Sequence, residues 1–203
     1  MKKIVVFTDG SCMGNGRDNA TGGIGIYFPN KELRNISKVY RHDKCTNQRT
    51  ELYAILTAIR YINQKLGLDK YELLIKTDSK YSISCITEWT PGWINNNWIT
   101  KSNKPVANRE YIESIYKYYL KYNISFEHVE AHTNGTDPDS VYNDKADKLA
   151  VKATKRYLEE KKKSGNQNRV KKIDSKTKNK FIKSSTSYNH DTNFIIELIG
   201  VDK

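Results

Sequence analysis

With 203 residues, 37% of them hydrophobic and 29% charged, the chain has material for one ordinary domain plus an appendage. Its formal net charge of +12 biases it toward polyanions, nucleic acid before anionic membrane, although a lysine-rich chain kept soluble by charge would look the same. No apolar run approaches the ~20 residues of a membrane helix, "MKKIVVFTDG" lacks a small-residue cleavage site, and three widely spaced cysteines, Cys12, Cys45 and Cys85, suggest neither a disulfide nor a zinc site, so a reducing intracellular compartment, cytoplasmic or nuclear, fits best.

Alternating apolar residues predict strands at 3–8, 22–28 and about 33–40, joined by short polar connections as an antiparallel meander. The Asp9–Gly10 pair after the first of these reads, taken alone, as a hairpin turn. From 46 to 65 the period changes: Leu52, Ile55, Leu56, Ile59 and Ile62 recur at three and four, the stripe of an amphipathic helix. "YELLIK" (71–76) is a buried strand, 79–88 reads as helix, and 90–107 is irregular and aromatic. A helix covers 109–121, "ISFEHVEA" (124–131) is a last strand, and 141–160 a last helix. Strands first and βα units later imply an α/β fold, a mixed sheet with helices packed on it.

From about 161 the chain is nearly free of large apolar residues and reads as disordered, because it buries too little surface to offset its ordering entropy. Residues 155–203 carry 13 Lys/Arg against 6 Asp/Glu, and "KKKSGNQNRVKK" has the composition of a nuclear address, a weak pattern. The terminal "FIIELIGV" (194–201) is apolar enough to dock as a strand or to bind a protein partner, or is an unpaired remnant.

Four carboxylates fall at places where an open α/β sheet gathers its sites. Asp9 follows the first strand, Glu51 lies in the first turns of the first helix, Asp78 ends a buried strand, and Asp147 lies in the first turns of the last helix. Each has a plain structural explanation: a turn at Asp9, helix-dipole preference at Glu51 and Asp147, an N-cap at Asp78. Jointly they fit a different chemistry. Four converging carboxylates repel one another unless a cation sits among them, and hard divalent ions prefer oxygen ligands.

The motifs "TDGSCMGNG", "GGIGIYF", "TNQRTEL", "TDSKY", "EWTPGWINNNW", "VEAH" and "NDKADKLA", in that order over residues 1 to about 156, resemble type 1 ribonuclease H, which cuts the RNA strand of an RNA–DNA hybrid. The resemblance implies a ribonuclease H-like fold: a five-stranded mixed sheet, three antiparallel strands then two parallel ones, flanked by helices. Residues 1–156 would form the catalytic domain and 157–203 a basic, mostly disordered extension, the whole acting as a monomer with no membrane partner. Chemistry would be two-metal hydrolysis leaving 5′-phosphate and 3′-hydroxyl ends, with two magnesium ions and manganese as a substitute. By position, the metal-binding carboxylates are Asp9, Glu51, Asp78 and Asp147, and His132 matches a loop histidine that assists proton movement or product departure.

The same resemblance puts Cys12, Asn15 and Gln48, with Asn47 beside it, against the hybrid's minor groove, where 2′-hydroxyls distinguish RNA from DNA. Lys44, Thr46 and Asn108 match a pocket for a DNA phosphate, and Tyr81 and Trp89 an aromatic channel along the DNA strand. Two departures stand out. The segment "PGWINNNWITKSNKPV" has asparagines where a basic protrusion carries lysines, leaving Lys101 and Lys104. The stretch between His132 and Asp147 is several residues longer than usual, so Asp144 competes with Asp147 for the fourth position; the "ADKLA" pattern and Asn143 before it favour Asp147. The competing readings are a catalytically silent module binding hybrid or double-stranded RNA, and a related nuclease of integrase or resolvase type.

Overall fold

The first strand outruns its apolar segment. β1 (Lys2–Met13) passes Asp9 and Gly10 without turning, because β2 (Thr21–Tyr27) pairs with it antiparallel as far as Met13. Asp9 is therefore a strand residue opposite Gly25, and the hairpin reading of Asp9–Gly10 is corrected: the chain reverses within residues 14–20, where Gly14 and Gly16 take φ of 75° and 80°. β3 (Ile36–Tyr40) completes the meander, and β4 (Tyr71–Thr77) and β5 (Ile124–His128) join in parallel. The sheet order is β3-β2-β1-β4-β5, the five-stranded mixed sheet expected from the sequence. The structure, a computed structural model, describes residues 1–42, 44–130 and 136–182, with side chains to 163.

α1 (Asn47–Leu66) starts where Thr46 Oγ1 accepts the Arg49 N–H at 3.2 Å and stops at Gly67, whose φ of 78° a residue with a Cβ resists. Leu52, Ile55, Leu56, Ile59 and Ile62 are all buried, so the three-and-four stripe is the core face. A helical run follows β4: α2 (Lys80–Ser84), a wider π turn over Cys85–Trp89, then α3 (Thr90–Asn95). Ser79, not Asp78, caps it, its side chain accepting from Ser82 N–H, which leaves the Asp78 carboxylate uncommitted to the cap. α4 (Arg109–Lys121) matches its expected bounds and buries Tyr111, Ile112 and Ile115.

α5 (Pro138–Ile182) departs from the sequence reading at both ends. It begins before 141, so Asp147 lies in its third turn, beyond the reach of the N-terminal dipole, and a dipole preference no longer explains that residue. Its backbone is helical to Ile182, where the sequence pattern ends the helix at 160 and expects disorder from 161. Propagation bears on the difference: an anchored helix adds residues without a new nucleus, and the Lys, Arg and Gln of this stretch are good formers, although Gly165 and the asparagines are not. The "FIIELIGV" segment lies outside the described residues, as does His132.

α1 and α5 cover opposite faces of β1 and β2. A Cβ on Gly10 would strike the backbone of Thr50 and Glu51, and one on Gly25 would strike the backbone of Ala146 and Ala150. Side chains alternate along a strand, and Gly25 pairs with Asp9, so Asp9 lies on the α5 face and Gly10 on the α1 face. The missing side chains let both helices touch the sheet near Asp9.

Candidate active site

The register of β1 against β4 opens the site. Their parallel pairing ends at Phe7–Lys76, while β1 continues with β2 alone, so beyond Phe7 one side of β1 is free. Asp9 lies just past that point and Asp78 just past the end of β4. Glu51 comes from α1, whose backbone rests on Gly10. The result is one cluster: ligand oxygens of Asp9, Glu51 and Asp78 lie within 4.8 Å of one another.

Asp147 stands outside that distance set but beside Asp9, its side chain within hydrogen-bonding reach and its charge acting on the Asp9 carboxyl. Asp144, the rival candidate, is exposed and pairs with Lys148 one turn on. Asn143, one turn before Asp147 on the same helix face, is 3% exposed and its Oδ1 has no hydrogen-bond partner.

Among the described residues no lysine or arginine forms an ion pair with Asp9, Glu51, Asp78 or Asp147. Lys76, two residues before Asp78, is committed to Glu127 at 2.9 Å and Asp139 at 2.5 Å. Without a cation, burial and mutual repulsion act on two of these acids, Asp9 and Glu51. Burial, then the neighbouring Asp78 charge, raises Asp9 to about 7. Burial, then Asp9 and Asp78, raises Glu51 well above the carboxylate range. Glu51 Oε2 is buried with no hydrogen-bond partner, the condition of an oxygen that lacks its natural ligand. An all-oxygen donor set, buried at Asp9 and Glu51 and half-buried at Asp78, with an orphaned atom, fits a hard divalent cation.

The residues matched to the hybrid surround this centre. Asn15 Oδ1 accepts the Asn47 N–H at 3.3 Å, tying the end of the β1–β2 hairpin to the start of α1. Lys44, Asn47 and Gln48 are exposed, and Thr46 is occupied as the α1 cap. Asn108 takes a left-handed φ of 60°; Arg49 donates to its Oδ1 at 3.3 Å, and its Nδ2 donates to the Tyr81 hydroxyl at 3.2 Å. Arg49 was not singled out from sequence, yet it also pairs with Glu110 at 2.6 Å and donates to the Tyr40 hydroxyl at 3.0 Å. Tyr81 and Trp89 meet edge to face with centroids 6.1 Å apart, and Trp89 is 42% exposed. The half-buried Cys12 lies with its Sγ 3.0 Å from Cys45 Sγ.

Residues 1–155 match the RNase H family. The chain belongs to that family. It is 54% identical over 149 residues to a probable ribonuclease H of Acanthamoeba polyphaga mimivirus, an alignment covering 73% of this chain and 65% of that protein. With a ribonuclease H of Clostridium botulinum it is 35% identical over 155 residues, 75% of this chain and 96% of the relative. Its fold superposes on a foamy viral protease–reverse transcriptase chain solved with double-stranded DNA at a TM-score of 0.60 and 25% identity, covering 75% and 94% of the two chains. With the acidic cluster in place, this RNase H family member is an enzyme of the ribonuclease H class, acting on RNA–DNA hybrids.

Proposed function

We propose that residues 1–156 hydrolyse internal phosphodiester bonds of the RNA strand of an RNA–DNA hybrid by a two-metal-ion mechanism, leaving 5′-phosphate and 3′-hydroxyl ends. The observation that carries this reading is the Asp9–Glu51–Asp78 cluster with its buried, partnerless Glu51 oxygen. Asp9, Glu51, Asp78 and Asp147 would hold two magnesium ions, or manganese in their place, which supply an activated water and stabilise the leaving oxygen of an in-line displacement.

The chain's own groups do the remaining work. Burial of Asp9 and Glu51 shields their carboxylates from bulk solvent and keeps them where the strand must pass. Cys12, Asn15, Asn47 and Gln48 line the approach of the minor groove and read the 2′-hydroxyls of the RNA strand. Lys44, Thr46 and Asn108 grip a phosphate of the DNA strand, with Asn108 held in place by Arg49 and Tyr81. Tyr81 and Trp89 face the DNA sugars, where bulky rings favour a sugar lacking the 2′-hydroxyl. His132 moves a proton or helps product leave. The basic extension 157–203 adds salt-dependent grip on phosphates.

The direct test is cleavage of labelled hybrid, single-stranded RNA and double-stranded DNA with magnesium. Cuts confined to the RNA strand of the hybrid, bearing 5′-phosphates, are expected. Binding of hybrid without cleavage, or cleavage of double-stranded DNA, defeats the reading.

A further inference from the structure

Cysteine spacing gives no hint of it, but the fold brings Cys12 of β1 and Cys45, just before α1, together as free thiols with sulfurs 3.0 Å apart. The contact is built by the sheet. Gly22 pairs with Cys12 across β1–β2, and a Cβ on Gly22 would meet Cys45 Sγ at 2.7 Å, so the Cys45 sulfur fills the space that this glycine leaves beside Cys12. A disulfide needs about 2.05 Å between sulfurs, so closure demands a shift of about 1 Å. The third cysteine, Cys85, is fully buried in the core.

We propose that Cys12 and Cys45 form a redox-active dithiol that a small-molecule disulfide of the glutathione type oxidises, and that the resulting bond weakens the grip on the hybrid. The bond itself is independent of the functional reading; its effect on the hybrid rests on that reading. The half-buried Cys12 meets the oxidant first, since Cys45 is 8% exposed and burial pushes its thiol up to about 12. The Cys12 thiolate attacks one sulfur of the oxidant, RSSR, forming a mixed disulfide and releasing one RSH. Cys45, losing its proton, then attacks Cys12 Sγ and expels the second RSH. Two protein thiols and one RSSR become one protein disulfide and two RSH.

The bond would act on two segments that carry the groove-reading residues. Cys12 itself is one of them, and Cys45 lies between Lys44 and Thr46. The Asn15–Asn47 hydrogen bond joins the same two segments a few residues further on. Drawing the sulfurs together removes the Cys12 thiol from the groove and disturbs this junction, while Asp9 projects on the opposite face of β1.

The experiment equilibrates the full-length protein in glutathione buffers of increasing oxidised fraction, then counts thiols and maps peptides by mass. The expected result is a Cys12–Cys45 linked peptide two hydrogens lighter, reversed by dithiothreitol, with Cys85 free. KM for the hybrid should rise roughly five-fold, the effect of about one lost hydrogen bond, with kcat changing less. Cys45→Ala should keep the reduced activity and no longer respond to the buffer, and Cys85→Ala should respond like wild type. Absence of the linked peptide, an unchanged KM in the linked protein, or an equal response from Cys45→Ala overturns the proposal. A reduced wild-type protein that cleaves no hybrid defeats the functional reading instead, and leaves the mass result standing.

Discussion

At the acidic centre three carboxylates crowd within 4.8 Å, two of them at most 9% exposed, whereas the segment from Trp89 to Asn108 presents rings and asparagines with only Lys101 and Lys104 for charge. The first region is held by backbone contacts on opposite faces of the β1–β2 pair, at Gly10 of β1 and Gly25 of β2. The second is held by a chain of aromatic contacts, Tyr81 to Trp89 to Trp93 to Trp98, closed by Arg109 over the Trp98 ring at 4.9 Å. Its asparagines have a local reason as well: Asn97, Asn103 and Asn108 all have positive φ, which asparagine tolerates better than lysine does. Charge that must stay unpaired requires a rigid frame, while a binding edge can exchange charge for ring surface and turn geometry.

The largest effect expected from this contrast comes at the acidic centre. Asp78→Asn should lower kcat by more than the ~10–100-fold typical of losing a ligand's supporting partner, with hybrid affinity unchanged or tighter because one negative charge facing phosphate is gone. Wild-type turnover of purified Asp78→Asn would break the assignment. Asp147→Asn should also cost far more activity than Asp144→Asn. The exposed Asp144–Lys148 pair sets only about 0–1 kcal/mol of stability, so the Asp144 variant should cleave nearly as well as wild type; the opposite ranking would move the fourth position by one helical turn.

Gly10→Ala tests the frame rather than the charges. Its methyl group would collide with the α1 backbone at Thr50 and Glu51, forcing the helix away from Asp9. Overpacking of this kind costs about 1–3 kcal/mol, so a drop in chemical-denaturation stability together with lost activity is expected. Normal stability and activity would show that α1 gives way freely.

Proton release from the centre should be visible in stability. In the metal-free chain Asp9 moves from its ordinary 3.8 to about 7, and Glu51 moves in the same direction. Between those pH values the folded state keeps protons that the unfolded state has lost, so the stability they confer is complete below about pH 4 and is lost as pH rises through about 7. Melting temperature in chelator should fall across that interval. Added magnesium should restore it at and above neutrality, and Asp9→Asn should flatten the profile. A flat wild-type profile in chelator would mean that the carboxylates find partners in solution.

The smallest effect belongs to the aromatic edge. Replacing both Lys101 and Lys104 by Ala should reduce the slope of log affinity against log salt by under two units, since each phosphate contact contributes about 0.9 for duplex DNA. A larger change would show that two lysines do the work assigned to the rings.

Much of this was written in local patterns. The α1 stripe, the bounds of α4, the mixed sheet and the four carboxylates at element ends can be read from period and spacing, because burial of one face imposes 3.6- and 2-residue repeats on any amphipathic element. The family motifs then assigned the chemistry. Less visible were the run of β1 through Asp9–Gly10, the π turn before Trp89, the Arg49 hub and the Cys12–Cys45 contact. A strand continues through a turn-prone dipeptide only if a partner strand and a helix claim it, and two cysteines 33 positions apart meet only through sheet register. Local sequence thus determined which residues were available to act. Tertiary structure decided which of them met, because pairing register and close backbone approach are set by residues distant along the chain.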